Sequence, residues 1–502
     1  MIDTAALREK VLDLAIRGKL VPQDPTDEPA SVLLERIHEQ KLQMVREGKL
    51  KAKDVKDDTI IFKGDDNCYY EKFSDGTIKN IQDEIPFDLP NGWSWERLSN
   101  LAAFSGGKTP STSNRDYWGG NILWVTSKDM KSKYIDSSLL MISEKSLEQM
   151  QLYPENTLLL VTRSGILRHT IPVAILKKPA TINQDLKAIM PYAQNFGEYI
   201  YICIKGMESR LILEYTKAGA TVENINFDAF QKNLLPIPPE NQIQRIVLAV
   251  NKVDEIIVKL KIDQDDLIDI ISKTKSKILE LAIQGKLVSQ DENDEPASVL
   301  LERIRAERKA KLGKKYVESY IFKGDDNCYY ENNDGKVAIV NEFLPFDLPD
   351  GWTYVRLENV LNYEQPTEYI VESTDYRSEY KTPVLTAGKS FIIGYTNETV
   401  GIKSELPVII FDDFTTDSKY VDFPFKVKSS AMKILTADKL LIDTKYAYYV
   451  MQTVECDHET HKRYWISEYG RTIIGLPPLN EQLKIVNQIE YLFSLLDNGK
   501  EP

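Results

Sequence analysis

The sequence predicts a mixed α/β (α+β) protein in which two different inserts are held by duplicated helical frames. Three observations support this prediction: long internal repeats, a heptad of apolar residues between them, and short strand-like runs inside the inserts. The heptad predicts long antiparallel coiled-coil spacer helices separating the two inserts. The repeats predict pseudo-twofold symmetry with a circular arrangement, in which the two chain ends meet.

Several segments of the chain occur twice, at offsets that drift from 267 to 259 residues. Asp27–Ile37 returns letter for letter as Asp294–Ile304, and Ile61–Glu71 returns as Ile321–Glu331. The other pairs are Leu14–Val21 with Leu281–Val288 and Pro86–Trp93 with Pro345–Trp352.

Two stretches between the repeats do not match each other in sequence. We call them the first insert, from about Trp95 to Pro236, and the second insert, from about Tyr354 to Leu476. Short apolar runs predict strands in both. In the first insert they are Ile122–Thr126, Thr157–Thr162, Pro172–Leu176 and Ala188–Met190; in the second they are Pro383–Thr386, Val408–Phe411 and Ala431–Leu435.

The spacer prediction rests on apolar positions whose steps alternate between three and four residues. They predict a helix from Glu240 to Gln284, about 67 Å long at 1.5 Å per residue, with Gly285 as its stop. The N-terminal piece matches the end of this helix and the C-terminal piece 483–496 matches its beginning; an ordinary bundle core is the alternative. The predicted spacer residues are Val11, Leu14, Ile243, Ile246, Val250, Val253, Ile257, Leu260, Leu267, Ile271, Ile278 and Leu281.

These patterns divide the chain into five predicted segments. Two are domains that contain the inserts, 61–238 with the leading repeat segment 61–94, and 319–478 with the leading repeat segment 319–353. The others are an N-terminal helical piece at 1–60, central spacer helices at 239–318 and a C-terminal spacer helix piece at 479–502.

Composition excludes several classes of protein. An apolar share of 42% excludes a disordered chain. The longest apolar runs fall far short of the roughly 20 residues that cross a bilayer, and the start lacks the pattern of a signal peptide. The four cysteines are widely spaced, with no C-x-x-C pair. We therefore expect a cytoplasmic protein without a membrane partner.

Catalytic motifs are weak. Ala102–Thr109 fits a relaxed phosphate-loop pattern around Lys108, but the residues that follow have no helical periodicity, so a polar loop is the alternative. Cys456–His461 holds three soft ligands, which a solvated helix end explains as well. Asp412 and Asp413 form an acidic pair without a completing E-x-K element, so a solvated strand end is the simpler interpretation. Cys68 and Cys328, inside the repeat, are interpreted as small core residues. We expect no metal site and no catalytic activity.

Charge is unevenly distributed over the chain, whose net charge is −13. The stretch Asp88–Pro238 has a net charge of +2, and its inner part Arg97–Lys187 has +5, with 12 basic and 7 acidic residues. The stretch Asp347–Pro478 has −6, which leaves −9 for the helical frames. The inner part of the first insert is therefore compatible with nucleic-acid binding, whereas the second insert is less so.

The whole pattern resembles the specificity (S) subunit of type I restriction–modification systems. In the first insert, the resemblance lies in Gly106–Ser111, Tyr117–Trp124, Thr162–Gly165 and Ala180–Gln184. Both inserts leave through similar segments, Pro238–Gln242 and Pro477–Gln482. The second insert matches less sharply, through Tyr380–Gly388 and Pro407–Asp413.

This resemblance implies a non-catalytic DNA-recognition subunit, with each insert a target recognition domain that reads one half of a bipartite double-stranded site. The helices would set the gap between the halves and dock two modification (methyltransferase) subunits, and restriction (motor and nuclease) subunits would join them. No cofactor is expected on this chain: S-adenosylmethionine would be bound by the modification subunits, and ATP and Mg²⁺ by the restriction subunits.

Candidate DNA contacts are polar and basic residues of the two inserts. In the first insert they are Lys108, Thr109, Ser111, Arg115, Thr126, Lys128, Arg163, Ser164, Arg168 and Gln184. In the second they are Thr386, Lys389, Thr415, Lys419, Lys433 and Arg471. Lys426, Lys428, Lys462 and Arg463 complete a predicted local patch there.

Two other functions stay open on the sequence alone. A repeat-built scaffold that binds only proteins is favoured by the acidic second insert. A nucleotide-dependent enzyme that uses Lys108 would require ATP binding by this chain.

Overall fold

A computed structural model describes residues 2–193, 196–217, 222–388, 390–456 and 463–498. The chain divides into two compact units, an N-terminal unit of residues 2–263 and a C-terminal unit from residue 264 onward. Helices and strands are mixed throughout both, as the sequence predicts. Among the described helices, none combines the length and apolarity needed to cross a membrane.

The N-terminal unit alternates helical and strand segments. Its helices are α1 (Thr4–Ile16), α2 (Ala30–Arg46), α3 (Lys53–Lys56), α4 (Leu98–Leu101), α5 (Gly197–Gly206), α6 (Glu208–Tyr215), α7 (Phe227–Phe230) and the first part of α8 (Glu240–Ile283). Its strands are β1 (Ile60–Lys63), β2 (Tyr69–Lys72), β3 (Ile78–Asn80), β4 (Ser94–Arg97), β5 (Ala102–Gly106), β6 (Trp118–Val125), β7 (Tyr134–Ile135), β8 (Leu140–Ile142), β9 (Leu158–Val161), β10 (Val173–Leu176), β11 (Ala180–Ile182), β12 (Leu186–Pro191), β13 (Thr216–Lys217), β14 (Asn224–Ile225) and β15 (Leu234–Ile237).

The C-terminal unit repeats this plan. After the last part of α8, its helices are α9 (Ala297–Leu312), α10 (Leu357–Val360), α11 (Thr444–Met451), α12 (Tyr464–Ser467) and α13 (Leu479–Asn498). Its strands are β16 (Ser319–Lys323), β17 (Tyr329–Asn333), β18 (Lys336–Ile339), β19 (Thr353–Arg356), β20 (Leu361–Glu364), β21 (Thr382–Leu385), β22 (Ile392–Thr396), β23 (Val408–Asp412), β24 (Ser418–Val421), β25 (Lys426–Val427), β26 (Met432–Ala437) and β27 (Ile473–Leu476).

The long helix α8 has the bounds that the sequence predicts, to within one residue. It begins directly after two prolines and ends at Ile283. Gly285 follows with φ +67°, and a Cβ there would lie 2.4 Å from the side chain of Pro349. Both the left-handed backbone and this close approach require glycine, so the helix stops here.

The two inserts share one strand order although their sequences do not match. The first has a sheet of order β5-β12-β9-β10-β7 beside a sheet of order β11-β6-β8. The second has the orders β20-β26-β23-β24 and β25-β21-β22. In each case the small sheet contains one parallel pair, β6 with β11 and β21 with β25. Taken in chain order, every described strand of the second insert has a counterpart in the first, which adds β7 and the two-stranded sheet β13-β14.

Each insert is bracketed by a pair of antiparallel strands. β4 pairs with β15, with Trp95 opposite Pro236, and β19 pairs with β27, with Tyr354 opposite Gly475. These strands lie where the repeated segments meet the inserts. The chain therefore enters and leaves each insert at the same place in its frame.

The frames repeat contacts as well as letters. Arg97 donates to Glu71 in the N-terminal unit, and Arg356 donates to Glu331 in the C-terminal unit. In both units the arginine lies at the end of the bracketing strand and the glutamate lies on the small sheet, β1-β2-β3 or β16-β17-β18. A half-buried ion pair therefore fixes each small sheet to its insert.

Most of the predicted spacer positions are buried or half-buried, including Ile246 and Val250 in the N-terminal unit and Ile271 in the C-terminal unit. Leu267 is an exception at 40% exposure, so its predicted burial is wrong. Helix α1 contacts α8 through the ion pair of Arg8 with Asp254, and helix α13 contacts α8 through the ion pair of Lys275 with Asp497. Leu267 lies between these two contacts along α8, so neither helix covers it.

The predicted core role of Cys68 and Cys328 is also wrong. Both are half-buried, in the turns that follow β1 and β16. Each backbone N–H donates to an aspartate two residues earlier, Asp66 or Asp326, over 3.1 Å. They recur because the turn recurs.

Candidate nucleic-acid interface

Four segments of the first insert converge at one edge of its sheets. Lys108 N donates to Ile182 O (2.9 Å), Asn183 N to Val125 O (3.0 Å) and Thr162 N to Asp185 O (2.8 Å). These bonds join the loop after β5, the end of β6, the end of β9 and the β11–β12 turn. We call residues 107–109, 126–128, 162–164 and 183–185 the first edge.

The first edge brings together most of the residues predicted to contact DNA in this insert. Those with exposed side chains are Lys108, Thr109, Lys128, Arg163 and Gln184, whereas Thr126 and Ser164 are half-buried. Ser111 and Arg115 are exposed on the loop that continues from Thr109. Thr109 Oγ1 donates to Gln184 Oε1, which orients the amide of Gln184 across the edge.

A glycine allows two of these segments to approach. A Cβ on Gly107 would lie 2.0 Å from the carbonyl oxygen of Asn183, so only glycine fits between the loop and the β11–β12 turn. The loop runs on without a helix as far as a short 3₁₀ turn, Arg115–Tyr117. A phosphate loop requires a helix immediately after the lysine, so the nucleotide-binding interpretation of Lys108 is wrong.

Arg168 is held beside the first edge by an acid that the sequence did not single out. Its Nε donates to the buried carboxylate of Glu223, and this bond lowers the pKa of Glu223 below its usual value. The carbonyl oxygen of Glu223 accepts from Ser164 N over 3.1 Å. Glu223 lies in a stretch without periodicity, so no sequence signal marks it.

The second insert forms an equivalent edge through the same pattern of backbone bonds. Val371 N donates to Val427 O (3.0 Å), Lys428 N to Leu385 O (3.2 Å) and Asp413 N to Ala431 O (3.3 Å). Each joins the counterparts of the strands and turns joined in the first insert. We call residues 371–373, 386–388, 413–415 and 428–431 the second edge.

Only part of the predicted contact set lies at the second edge. Thr386 and Thr415 belong to it, and Lys419 is half-buried on the neighbouring strand β24. Arg471 is exposed but lies beside the frame, where its carbonyl oxygen accepts from Arg356. Lys389 lies outside the described residues, as does Lys462 of the predicted patch.

The prediction that Lys433 contacts DNA is wrong. Its side chain is 1% exposed, and its Nζ lies 3.4 Å from Asp413 Oδ2. Asp413 is buried too, so the interpretation of the Asp412–Asp413 pair as a solvated strand end is wrong for this residue. Lys426 is likewise buried, in an ion pair with Glu398. The two lysines are held in ion pairs, Lys433 with a buried acid and Lys426 with a half-buried one.

No cluster of three or more metal-ligating side chains is found in the part of the chain that the structure describes. His458 and His461 of the candidate metal motif lie outside that part. Cys456 is described and half-buried.

Comparison with known proteins finds one matching domain family and a shared fold. Residues 90–268 match the family model described as the type I restriction modification DNA specificity domain. The solved structure of a chain from the type I R-M system, described for its complex assembly and conformational transition, aligns over 83% of this chain and 93% of that one. Its TM-score is 0.53 at 14% identity, which shows a shared fold. Residues 90–268 are thus similar in sequence to this DNA specificity domain, and the chain as a whole shares the fold of that structure.

Several curated proteins are similar to this chain in sequence. The Escherichia coli type I restriction enzyme EcoR124I/EcoR124II specificity subunit is 50% identical over 145 residues, which are 27% of this chain and 35% of that protein. The EcoAI specificity subunit of Escherichia coli is 25% identical over 90% of this chain and 76% of its own length. The EcoEI specificity subunit of Escherichia coli is 25% identical over 98% of this chain and 90% of its own length. The chain is therefore similar along most of its length to type I restriction enzyme specificity subunits.

Proposed function

We propose that this chain is the non-catalytic subunit that selects the DNA sequence for a type I restriction–modification complex. Each insert reads one half of a bipartite site through its edge. The observation that carries the proposal is the equivalence of the two edges: two unmatched sequences build one strand order and one set of backbone bonds. Residues that vary on a constant framework are what two readers of different half-sites require.

The gap between the half-sites is set, in this proposal, by α8 with α1 and α13 as antiparallel coiled-coil spacers. The burial of heptad positions at both ends of α8 supports it. Arg8 Nε lies 2.8 Å from Asp254 Oδ1, and Lys275 Nζ lies 2.7 Å from Asp497 Oδ2. The circular arrangement in which the chain ends meet is part of the same proposal, since the two end pieces together match one copy of the central helix.

Partner subunits are proposed to bind the helical frames. Exposed apolar residues on α8, among them Ile256, Val258, Ile268 and Ile270, are suited to protein contact. Two modification subunits would supply S-adenosylmethionine and the methyl transfer, and restriction subunits would supply ATP- and Mg²⁺-dependent steps. The acidic charge of the frames then faces protein or solvent and not DNA.

The alternative is a scaffold that binds only proteins, and the negative net charge of the second insert favours that alternative. The salt dependence and sequence preference of DNA binding distinguish the two. Methylome sequencing of a host that carries the system defines the site, and the assembled complex is then titrated with that duplex and a scrambled one. We expect preference for the site by roughly 10³ or more and a log–log decline of affinity with salt. Equal affinity for both duplexes would favour the scaffold.

A further inference from the structure

The second edge carries a phenylalanine where the first edge carries an arginine. Thr162 and Asp413 make the same backbone bond in the two inserts, so the residues that follow them, Arg163 and Phe414, occupy corresponding positions. Arg163 is exposed, and Phe414 is exposed by 43%. Single exposed apolar residues are common on proteins, so the position and not the exposure makes Phe414 informative.

The turn that presents Phe414 is closed by hydrogen bonds. The Asp412 carboxylate accepts from Phe414 N (2.9 Å) and Thr415 N (3.0 Å), and Asp412 N donates to Asp417 O (2.8 Å). Thr416 has a φ of +61°, a conformation that β-branched residues rarely adopt. These bonds fix the backbone of the turn and therefore the direction in which the Cα–Cβ bond of Phe414 leaves it.

A buried polar base supports the turn from below. Asp413 is 3% exposed; its Oδ1 accepts from Trp465 N over 2.9 Å, and its carbonyl oxygen accepts from Tyr464 N over 3.0 Å. Lys433 neutralises the carboxylate from the neighbouring strand. The acid and the lysine thus act as positioning residues for Phe414.

We propose that Phe414 is a specificity-determining residue that packs on the C5-methyl group of a thymine in the second half-site. This rests on the function proposed above. A thymine methyl is the one apolar group on a base edge in the major groove, and aromatic side chains contact it. Two exposed basic residues are candidates to hold phosphates: Lys428 belongs to the second edge, and Arg463 precedes Tyr464, whose N–H donates to Asp413 O.

The proposal also accounts for the charge of the second insert. An edge that reads through an apolar ring and the hydroxyl groups of Thr415 and Ser430 needs few cations. Two of the acids behind the second insert's net charge of −6 are paired with lysines, Asp413 with Lys433 and Glu398 with Lys426, while Glu372 is exposed at the second edge. The net charge of the insert therefore does not by itself give the charge around Phe414.

Thymine replacement in the assembled complex tests the contact. Duplexes carry deoxyuridine, which lacks the methyl, at every thymine of the second half-site or, as a control, of the first. We expect the duplex with deoxyuridine in the second half-site to bind wild type about three- to tenfold more weakly, because the contact loses one buried methyl group and its packing. Phe414→Ala should bind the normal duplex with a similar loss and show no further loss with deoxyuridine.

Two matched variants separate this contact from other causes. Leu440→Ala removes an apolar side chain that is 59% exposed near the opposite end of β26, and it should bind like wild type. Lys428→Ala should lower the slope of the salt dependence by about one, whereas Phe414→Ala leaves it unchanged. A changed slope in Phe414→Ala would contradict the proposal.

The outcomes distinguish this inference from the function on which it rests. If wild type shows no sequence preference at all, the proposed function fails. If wild type is selective but deoxyuridine has no effect, or if Phe414→Ala binds normally, the thymine contact alone is overturned. A Phe414→Ala loss that persists equally on the deoxyuridine duplex would show that the ring acts by another route, such as insertion between base pairs, and would also overturn it.

Discussion

Glu96 is a buried carboxyl group in the frame of the N-terminal unit. Asn100 Nδ2 donates to its Oε1 over 2.7 Å and Arg97 N over 2.8 Å, and burial raises the pKa of Glu96 to about 7. The C-terminal unit has Val355 at the corresponding position of the repeat. The frame therefore tolerates an uncharged residue here, and Glu96 opposes folding once it ionises.

Glu96→Gln is predicted to stabilise the protein at alkaline pH. Since the folded pKa of about 7 lies above the ordinary 4.5, the unfolded chain releases this proton first, and stability falls as pH rises from 4.5 to 7. Glutamine keeps the acceptor oxygen and removes the charge. Urea denaturation should show a gain of about 3 kcal/mol at pH 8 and little change near pH 4.5. An equal effect at both pH values would contradict this assignment.

Gly107→Ala is predicted to damage the first edge selectively. Its Cβ would lie 2.0 Å from the backbone oxygen of Asn183, so the loop must move away from the β11–β12 turn, at a cost of about 1–3 kcal/mol. The expected result is weaker recognition of one half-site with the other unchanged, measured by methylation of duplexes with either half altered. Gly165→Ala meets no atom within 4 Å and is the control for stability.

Among the secondary-structure elements, helix α8 and the seven predicted strands are found in the structure because their sequence signals are local. Periodicity and the flanking prolines and Gly285 define α8, and apolar runs locate strands such as β9 and β23 within a residue or two. The burial of Lys433 and Asp413 escaped prediction because it depends on a tertiary contact between β23 and β26. The exposure of Leu267 depends on how far α1 and α13 extend.

The common strand order of the two inserts could not be predicted from the sequence either. The edges are joined by backbone bonds, which carry no side-chain signature, so Val371 can stand where Lys108 stands. Thr126 and Thr386 could each be predicted as a candidate DNA contact. Nothing in the sequence indicates that they follow corresponding strands, β6 and β21. Glu223 and Phe414 can be recognised as candidate site residues only from the backbone hydrogen bonds that place them in the structure.

The spacer helix gives a prediction about distance. Seven helix-forming residues inserted between Val258 and Ile270, where α8 is largely exposed, would preserve the heptad phase and lengthen the helix by about 10 Å. We expect methylome sequencing to show a wider gap, by about three base pairs at 3.4 Å each, with both half-site sequences unchanged. A glycine–serine insertion of equal length should instead blur the gap. An unchanged gap in the helical variant would contradict the spacer role of α8.

The whole molecule is a duplicated frame that carries two inserts, which we propose act as interchangeable readers of DNA. Each insert leaves and re-enters its frame through one antiparallel strand pair, β4 with β15 or β19 with β27. Hydrophobic clusters of each unit pack insert and frame together, so the boundary of an exchange matters. The bracketing strands are the place where an exchange disturbs least.

The most direct test of the central claim is an exchange of the first insert. Residues 95–236 are replaced by the corresponding insert of another specificity subunit, and the methylated sites of a host with the complete system are sequenced. We predict that one half-site changes to that of the donor while the other half-site and the gap remain. A site in which both halves change, or neither does, would contradict the assignment of one half-site to each insert.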